Sequence, residues 1–154
     1  MLPKHILVPT DLSEGAEQAL AYACELARTL DAEIHLLNVV AVPALGVPEL
    51  GVAMTATVID QLVVENQTAL QELARGRCAA RLGQVLIKAG DPRDMIHRTA
   101  QELGVDLIVM GTHGRRGLTR ALLGSVAESV VRSAPCAVLT VRLKEAIDRD
   151  RSAA

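Results

Sequence analysis

Aromatic side chains are almost missing from this sequence: its 154 residues include one Tyr and neither Phe nor Trp. The core must be built from Val, Leu, Ile and Ala, and base-stacking modes of nucleic-acid binding, which use aromatic platforms, are disfavoured. An excess of one charge is missing too. With 16 Lys+Arg against 18 Asp+Glu the formal net charge is -2, so no overall field draws the chain to nucleic acid or to an anionic membrane. The three cysteines, Cys24, Cys78 and Cys136, lie far apart with no CxxC, which argues against a zinc site or a disulfide framework and for a reducing compartment. No apolar run reaches the roughly eighteen residues of a membrane span. The start, Met1 into Lys4-His5 and a short apolar run, lacks the features of a signal peptide. A cytoplasmic protein with no nucleic-acid and no membrane partner is expected.

What is present is hydrophobic substance, 50% of the residues, enough for one domain core and too little for two. We assign residues 1–143 to a single domain and 144–154 to a polar C-terminal tail. Ile6-Leu7-Val8 reads as a buried strand stopped by Pro9-Thr10-Asp11. From Ser13 to Leu30 the period changes: Ala16, Ala19, Leu20, Ala23, Ala27 and Leu30 form one helical stripe, with Asp11 or Ser13 as its cap. Ile34 to Val40 is the second strand and Pro43 to Gly51 a loop. A helix over about Thr55 to Ala80 follows, with Val58, Leu62, Leu70 and Leu73 inward and Gly76 weakening its end. Val85 to Ala89 is the third strand. Gly90-Asp91-Pro92 opens a helix that stops at Gly104. Val105 to Met110, apolar except for Asp106, reads as a strand covered on both faces. A helix from about Ser125 to Arg132 and a strand from Cys136 to Val141 complete the order. Strands alternating with helices require parallel pairing and right-handed crossovers, hence an α/β fold with a doubly wound five-stranded parallel sheet and helices on both faces.

In such a sheet ligands bind beyond the C-terminal ends of the strands, where the winding reverses. Two loops qualify: Pro9-Thr10-Asp11, and Gly111-Thr112-His113-Gly114-Arg115-Arg116-Gly117. The glycines of the second allow backbone amides to converge on phosphate oxygens. Nine residues separate Gly114 from Gly124-Ser125-Val126, which opens the last helix, where unpaired amides and the dipole form an anion site. Arg115 and Arg116 add charge and Ser125 a hydroxyl. Each feature alone has an ordinary use: glycines make turns, and Ser125-Val126-Ala127-Glu128 matches a capping box. Their combination favours phosphate. The lysine-dependent Gly-x-x-x-x-Gly-Lys-Ser/Thr loop is absent, as is Gly-x-Gly-x-x-Gly after the first strand.

Leu107-Ile108-Val109-Met110 with Gly111-Thr112-His113-Gly114, nine residues, Gly124-Ser125-Val126-Ala127-Glu128 and then Pro135-Cys136-Ala137-Val138-Leu139 resembles the universal stress protein family, specifically its ATP-binding branch. Ile6 to Asp11 and Gly90-Asp91-Pro92 with Ile96 extend the resemblance over nearly all of residues 3 to 142. It implies a Rossmann-like fold of the adenine nucleotide alpha hydrolase type and an ATP site. Asp11 would contact the sugar with the Pro9 and Thr10 backbone beside it, and Val39 would offer backbone groups to the adenine edge. Met110 and Gly111 would line the nucleoside. Thr112, Gly114, Arg115, Gly124, Ser125 and Val126 would lie around the phosphates, with His113 either meeting phosphate oxygens or staying solvated. Ala137 stands where the family often has proline.

Mg2+ would come with the triphosphate, and Asp11 is the nearest carboxylate, its other use being helix capping. No resident metal site is expected. His5, His35 and His97 are isolated in sequence, so surface or structural positions are the default. Cys24 and Cys136 read as small core residues, and Cys78, beside Arg77, as an inert thiol. The resemblance implies an ATP-responsive regulator of the stress response and a homodimer paired through the last strand, Val138 to Val141, with its protein partners unnamed. The alternative is a slow ATPase or adenylyl transferase, for which no acid-base pair is evident by spacing. A nucleotide-free interaction module would be expected to lose the glycines that this chain keeps.

Overall fold

The computed structural model describes residues 2–41, 50–78, 81–112 and 123–142, the side chains of 50–58 and 77 excepted. The elements alternate along the chain: β1 (His5–Thr10), α1 (Glu14–Leu30), β2 (Glu33–Ala41), α2 (Leu50–Arg77), β3 (Leu82–Gly90), α3 (Pro92–Leu103), β4 (Leu107–Gly111), α4 (Ser125–Ser133) and β5 (Ala137–Val141). All pairings are parallel, in the order β3-β2-β1-β4-β5. This is the doubly wound α/β sheet that the alternation predicts. Winding reverses between β1 and β4.

Each face of the sheet carries its own core. Ile6, Val8, Ile34, Leu36 and Val109 pack with Leu20, Ala23 and Ala27 of α1 and with Leu70 and Ala74 of α2. Leu7, Leu37 and Ile108 pack with Ile96 and Ala100 of α3 and Val130 of α4. Small side chains at Ala19, Ala23 and Ala27, all fully buried, let α1 approach the sheet closely, which is how a core without Phe or Trp reaches close packing. Each fully buried Leu or Ile stabilises the fold by about 1.5–3 kcal/mol.

Several boundaries differ from expectation. β1 runs through Pro9, in register with Leu37. Pairing with β4 ends at Leu7, so the missing Pro9 N–H removes no ladder bond on that side. α2 begins at Leu50, inside the segment expected as a loop, and ends at Arg77 rather than Ala80; residues 42–49 lie outside the described residues. Of the side chains expected inward on α2, Leu70 is buried and Leu73 packs on the core, whereas Leu62 is exposed; that of Val58 lies outside the described residues. β3 starts three residues early, at Leu82. Asp106 precedes β4 and caps the edge of the sheet instead of joining it, accepting the Lys4 and His5 amides at 2.8 and 2.9 Å. Those two amides hold its carboxyl below the usual carboxylate range.

The cysteines need a larger correction. Cys24 of α1 and Cys78, just after α2, are joined as a disulfide with Cα atoms 5.6 Å apart, a usual separation for such a bond. Both are buried in the core between these helices and the sheet. Sequence spacing could not reveal this, because the fold, and no motif, brings them together. Cys136 remains a free, half-buried thiol, pushed up in pKa by burial and then by the nearby Asp106 charge.

Candidate functional site

The C-terminal edge of the sheet opens at the reversal point. β1 and β4 pair only at Ile6 and Leu7, yet both strands continue, to Thr10 and Gly111. β2 overhangs as well: its ladder with β1 ends at Asn38, while pairing with β3 continues through Ala41. Val39 therefore lies past the last rung on the β1 side. A crevice bounded by backbone is the result.

One wall is the turn from β1 into α1, which is wound by its own side chains. Thr10 Oγ1 accepts the Leu12 amide at 3.0 Å, and Asp11 Oδ1 accepts the Ser13 amide at 3.1 Å and its hydroxyl at 2.5 Å. Ser13 Oγ in turn accepts the Ala16 amide at 3.3 Å. Ser13 is thus the cap of α1, and Asp11 holds the cap. Leu12 takes a left-handed φ of 62°, rare for a residue with a branched apolar side chain and usual at sites under constraint. Asn38 Nδ2 donates to the Thr10 carbonyl at 2.8 Å, and Asn66 of α2 donates to Asn38 Oδ1 at 3.0 Å. The ends of β1 and β2 are tied together by a buried amide.

The opposite wall comes from β4 and α4. Met110 is buried, and a Cβ on Gly111 would lie 3.1 Å from the Gly15 carbonyl, so β4 ends tightly against the first turn of α1, where a side chain would press on backbone. The Thr112 amide donates to the Val141 carbonyl at 3.0 Å, and its carbonyl accepts the Gly124 amide at 2.8 Å. Both ends of the glycine segment are thereby clamped beside β5. α4 starts one residue earlier than the capping-box pattern implies: Gly124 is the cap and makes no side-chain cap bond. Ser125, exposed, occupies the first helical position. α1 and α3 are closed by Ser13 and Asp91, whereas α4 has no side-chain cap among the described residues, the arrangement at which a helix start can take an anion.

Of the expected site residues, Pro9, Thr10, Asp11, Val39, Met110, Gly111, Thr112, Gly124, Ser125 and Val126 all lie at this edge of the sheet. His113, Gly114 and Arg115 lie outside the described residues. At the other end of the sheet is a grouping that sequence reading missed. His5 Nδ1 and His35 Nε2 stand 3.5 and 3.7 Å from Glu33 Oε2, beside a groove of about 380 Å³ whose rim includes Lys4, Asp31 and Arg81. The signal available was strand parity together with the register that sets His5 beside Glu33 and Leu7 beside His35.

Comparison with known proteins agrees with the architecture. The universal stress protein family model matches residues 3–142. Universal stress protein MJ0531 of Methanocaldococcus jannaschii is 37% identical over 144 residues, covering 92% of this chain and 83% of that one. The structure of universal stress protein UspA from Lactobacillus plantarum is 30% identical with a TM-score of 0.78, covering 90% of this chain and 97% of that one. A universal stress protein solved in complex with cAMP, 24% identical over 92% of this chain and 98% of its own, shares the fold with a TM-score of 0.61. The chain belongs to the universal stress protein family.

Proposed function

We propose that the chain binds ATP in the crevice above β1, β2 and β4 and acts as a nucleotide-responsive regulator in the stress response. The observation that carries this reading is the start of α4, where Gly124 supplies no side-chain cap and the first-turn amides of Ser125 and Val126, uncapped by any side chain among the described residues, suit phosphate oxygens. Gly114 and Arg115, with Thr112 and His113, would complete the phosphate end. The overhang of β2 beyond β1 leaves Val39 with backbone groups for the adenine edge, and the Pro9-Thr10-Asp11 turn supports the sugar. Met110 and Gly111 form the floor between them. The cAMP complex of a protein with the same fold supports the ligand class.

Mg2+ would arrive on the triphosphate and keep most of its ligands as phosphate and water. Asp11 fits that supporting role, because Ser13 already draws on its Oδ1. The same engagement makes it a poor general base, so efficient hydrolysis is not part of the reading. The proposal includes a homodimer. β5 is an edge strand, and Val138 to Val141 would pair with a second copy about a two-fold axis. It also includes a cytoplasmic setting, against which the Cys24–Cys78 bond weighs, since such bonds persist mainly in oxidising compartments.

Mass spectrometry of ligand released from purified protein, followed by calorimetric titration with ATP, tests the reading. A bound adenine nucleotide and saturable heat are expected. No nucleotide and no binding at millimolar ATP would sink it. Gly114→Val and Gly124→Val should abolish binding with the circular dichroism spectrum unchanged, and product accumulating over hours would move the protein to the slow-ATPase class.

A further inference from the structure

The His5, Glu33 and His35 grouping lies at the N-terminal end of the strands, away from the nucleotide crevice. Its donor atoms fall within 4.8 Å of one another, close enough to suggest a metal. The hydrogen bonding of His35 argues otherwise. The Gln84 amide donates to His35 Nδ1 at 3.1 Å, so in the neutral ring the proton sits on Nε2, the atom that faces Glu33. A histidine that binds metal through Nε2 keeps its proton on Nδ1 and donates it there. In this chain that nitrogen is an acceptor.

The Gln84 amide points at an imidazole because the β2–β3 ladder is broken at this place. Register passes from Ile34 opposite Leu82 to Leu36 opposite Val85, so two steps on β2 face three on β3. A bulge of this kind leaves an amide without its ladder acceptor, and His35, between those two rungs, supplies one from its side chain. Its side chain is 6% exposed, and Nε2 has no hydrogen-bond partner among the described residues. The ring is wedged between the stacked His5 ring, 5.8 Å away, and the backbone of Gly83, where a Cβ would come within 2.8 Å of His35 Cε1. The Gln84 bond fixes which nitrogen faces β3.

We propose that His35 is a proton-sensitive pin: the neutral imidazole closes the β2–β3 bulge, and protonation on Nδ1 releases the start of the edge strand β3. An imidazolium has two N–H donors and no acceptor, so the Gln84 amide would then face a second N–H. The charged groups around the ring are His5 from β1 and Glu33 from β2. β3 presents Gly83 and the Gln84 amide, and further along β3 Lys88 is paired with Glu102 of α3 at 2.6 Å. Across the groove Lys4 Nζ sits on the Leu30 and Asp31 carbonyls and Arg81 on the Asp31 carboxylate.

The direction of the pH dependence follows from the balance of these groups. Burial lowers the His35 pKa below its ordinary 6.5, against the attraction of Glu33 and with the help of His5. The folded chain therefore holds this proton more weakly than the unfolded chain. The contribution of the pin is complete above the unfolded pKa and is lost as pH falls through the lower folded value. Each unit between the two values is worth roughly tenfold in the opening equilibrium.

The test is nuclear magnetic resonance of the intact chain. In the wild type, the His35 ring and the Gln84 amide should titrate together, with one shared midpoint on the acid side of the ordinary histidine value of 6.5, the amide proton moving upfield as its bond is lost. Exchange protection of Gln84 and Val85, corrected for intrinsic rates, should fall over the same range. In His35→Asn the side-chain oxygen stands near the position of Nδ1 and accepts at every pH, so protection should become flat. A Gln84 amide that stays put while His35 titrates overturns the proposal, as does an acid loss in His35→Asn equal to that of the wild type. A one-to-one zinc complex that raises the melting temperature at neutral pH would also overturn it, in favour of a metal site.

Discussion

Two glycines that look alike in sequence should answer oppositely to the same substitution. At Gly83 a Cβ would fall 2.7 Å from the Glu33 carboxylate and 2.8 Å from the His35 ring. Glu33 is half exposed and can swing away, but His35 is buried and pinned. Gly83→Ala should therefore lower stability by about 1–3 kcal/mol, read as a lower urea midpoint at constant slope. At Gly76, near the end of α2, a Cβ meets nothing within 4 Å. There Gly76→Ala should raise stability by about 0.5–1 kcal/mol. The weakening effect of Gly76 was visible in the helical pattern around it. That of Gly83 was not, because a glycine between Leu82 and Gln84 carries no sign of the bulge it allows.

The helices differ at their starts, and the difference separates stability from binding. Ser13 caps α1 through the Ala16 amide, and Asp91 caps α3 through the Arg93 amide at 2.8 Å. Ser13→Ala and Asp91→Ala should each cost about 1 kcal/mol in chemical unfolding. Ser125 caps nothing, because Gly124 holds that position in α4. Ser125→Ala should change stability by less than about 0.5 kcal/mol while weakening ATP in calorimetry. A loss of stability with unchanged affinity would count against the phosphate role. α1 and α3 were legible in advance, since an apolar stripe behind the Asp11–Ser13 turn marks the first, and Asp91-Pro92 with Gly104 bounds the second. The strand ends were not. Leu82-Gly83-Gln84 lacks β-branched residues, and Pro9 argues locally against a strand that the register with β2 sustains. The crevice at the C-terminal edge of the sheet was readable because the residues around it follow strands in sequence. The histidine grouping, built across strands by register, was not.

At the scale of the molecule, the Cys24–Cys78 bond closes 54 residues of chain that contain the second half of α1, β2, α2 and the segment between the last two. It joins the helices covering one face of the sheet. Cross-linking a loop of this length restricts the unfolded ensemble by an amount worth about 2–4 kcal/mol. The oxidised wild type should exceed its reduced form by that margin in urea unfolding. Cys78→Ala separates the bond from the packing of the sulfur: its stability should be the same with and without reductant, and close to that of reduced wild type less the cost of a small cavity. Alkylation in denaturant, without reductant, should label Cys136 alone. Labelling of all three cysteines would show that the helices are held by packing only. A stability gap between oxidised and reduced protein that persists in Cys78→Ala would assign the effect to the two thiols that variant retains, Cys24 and Cys136.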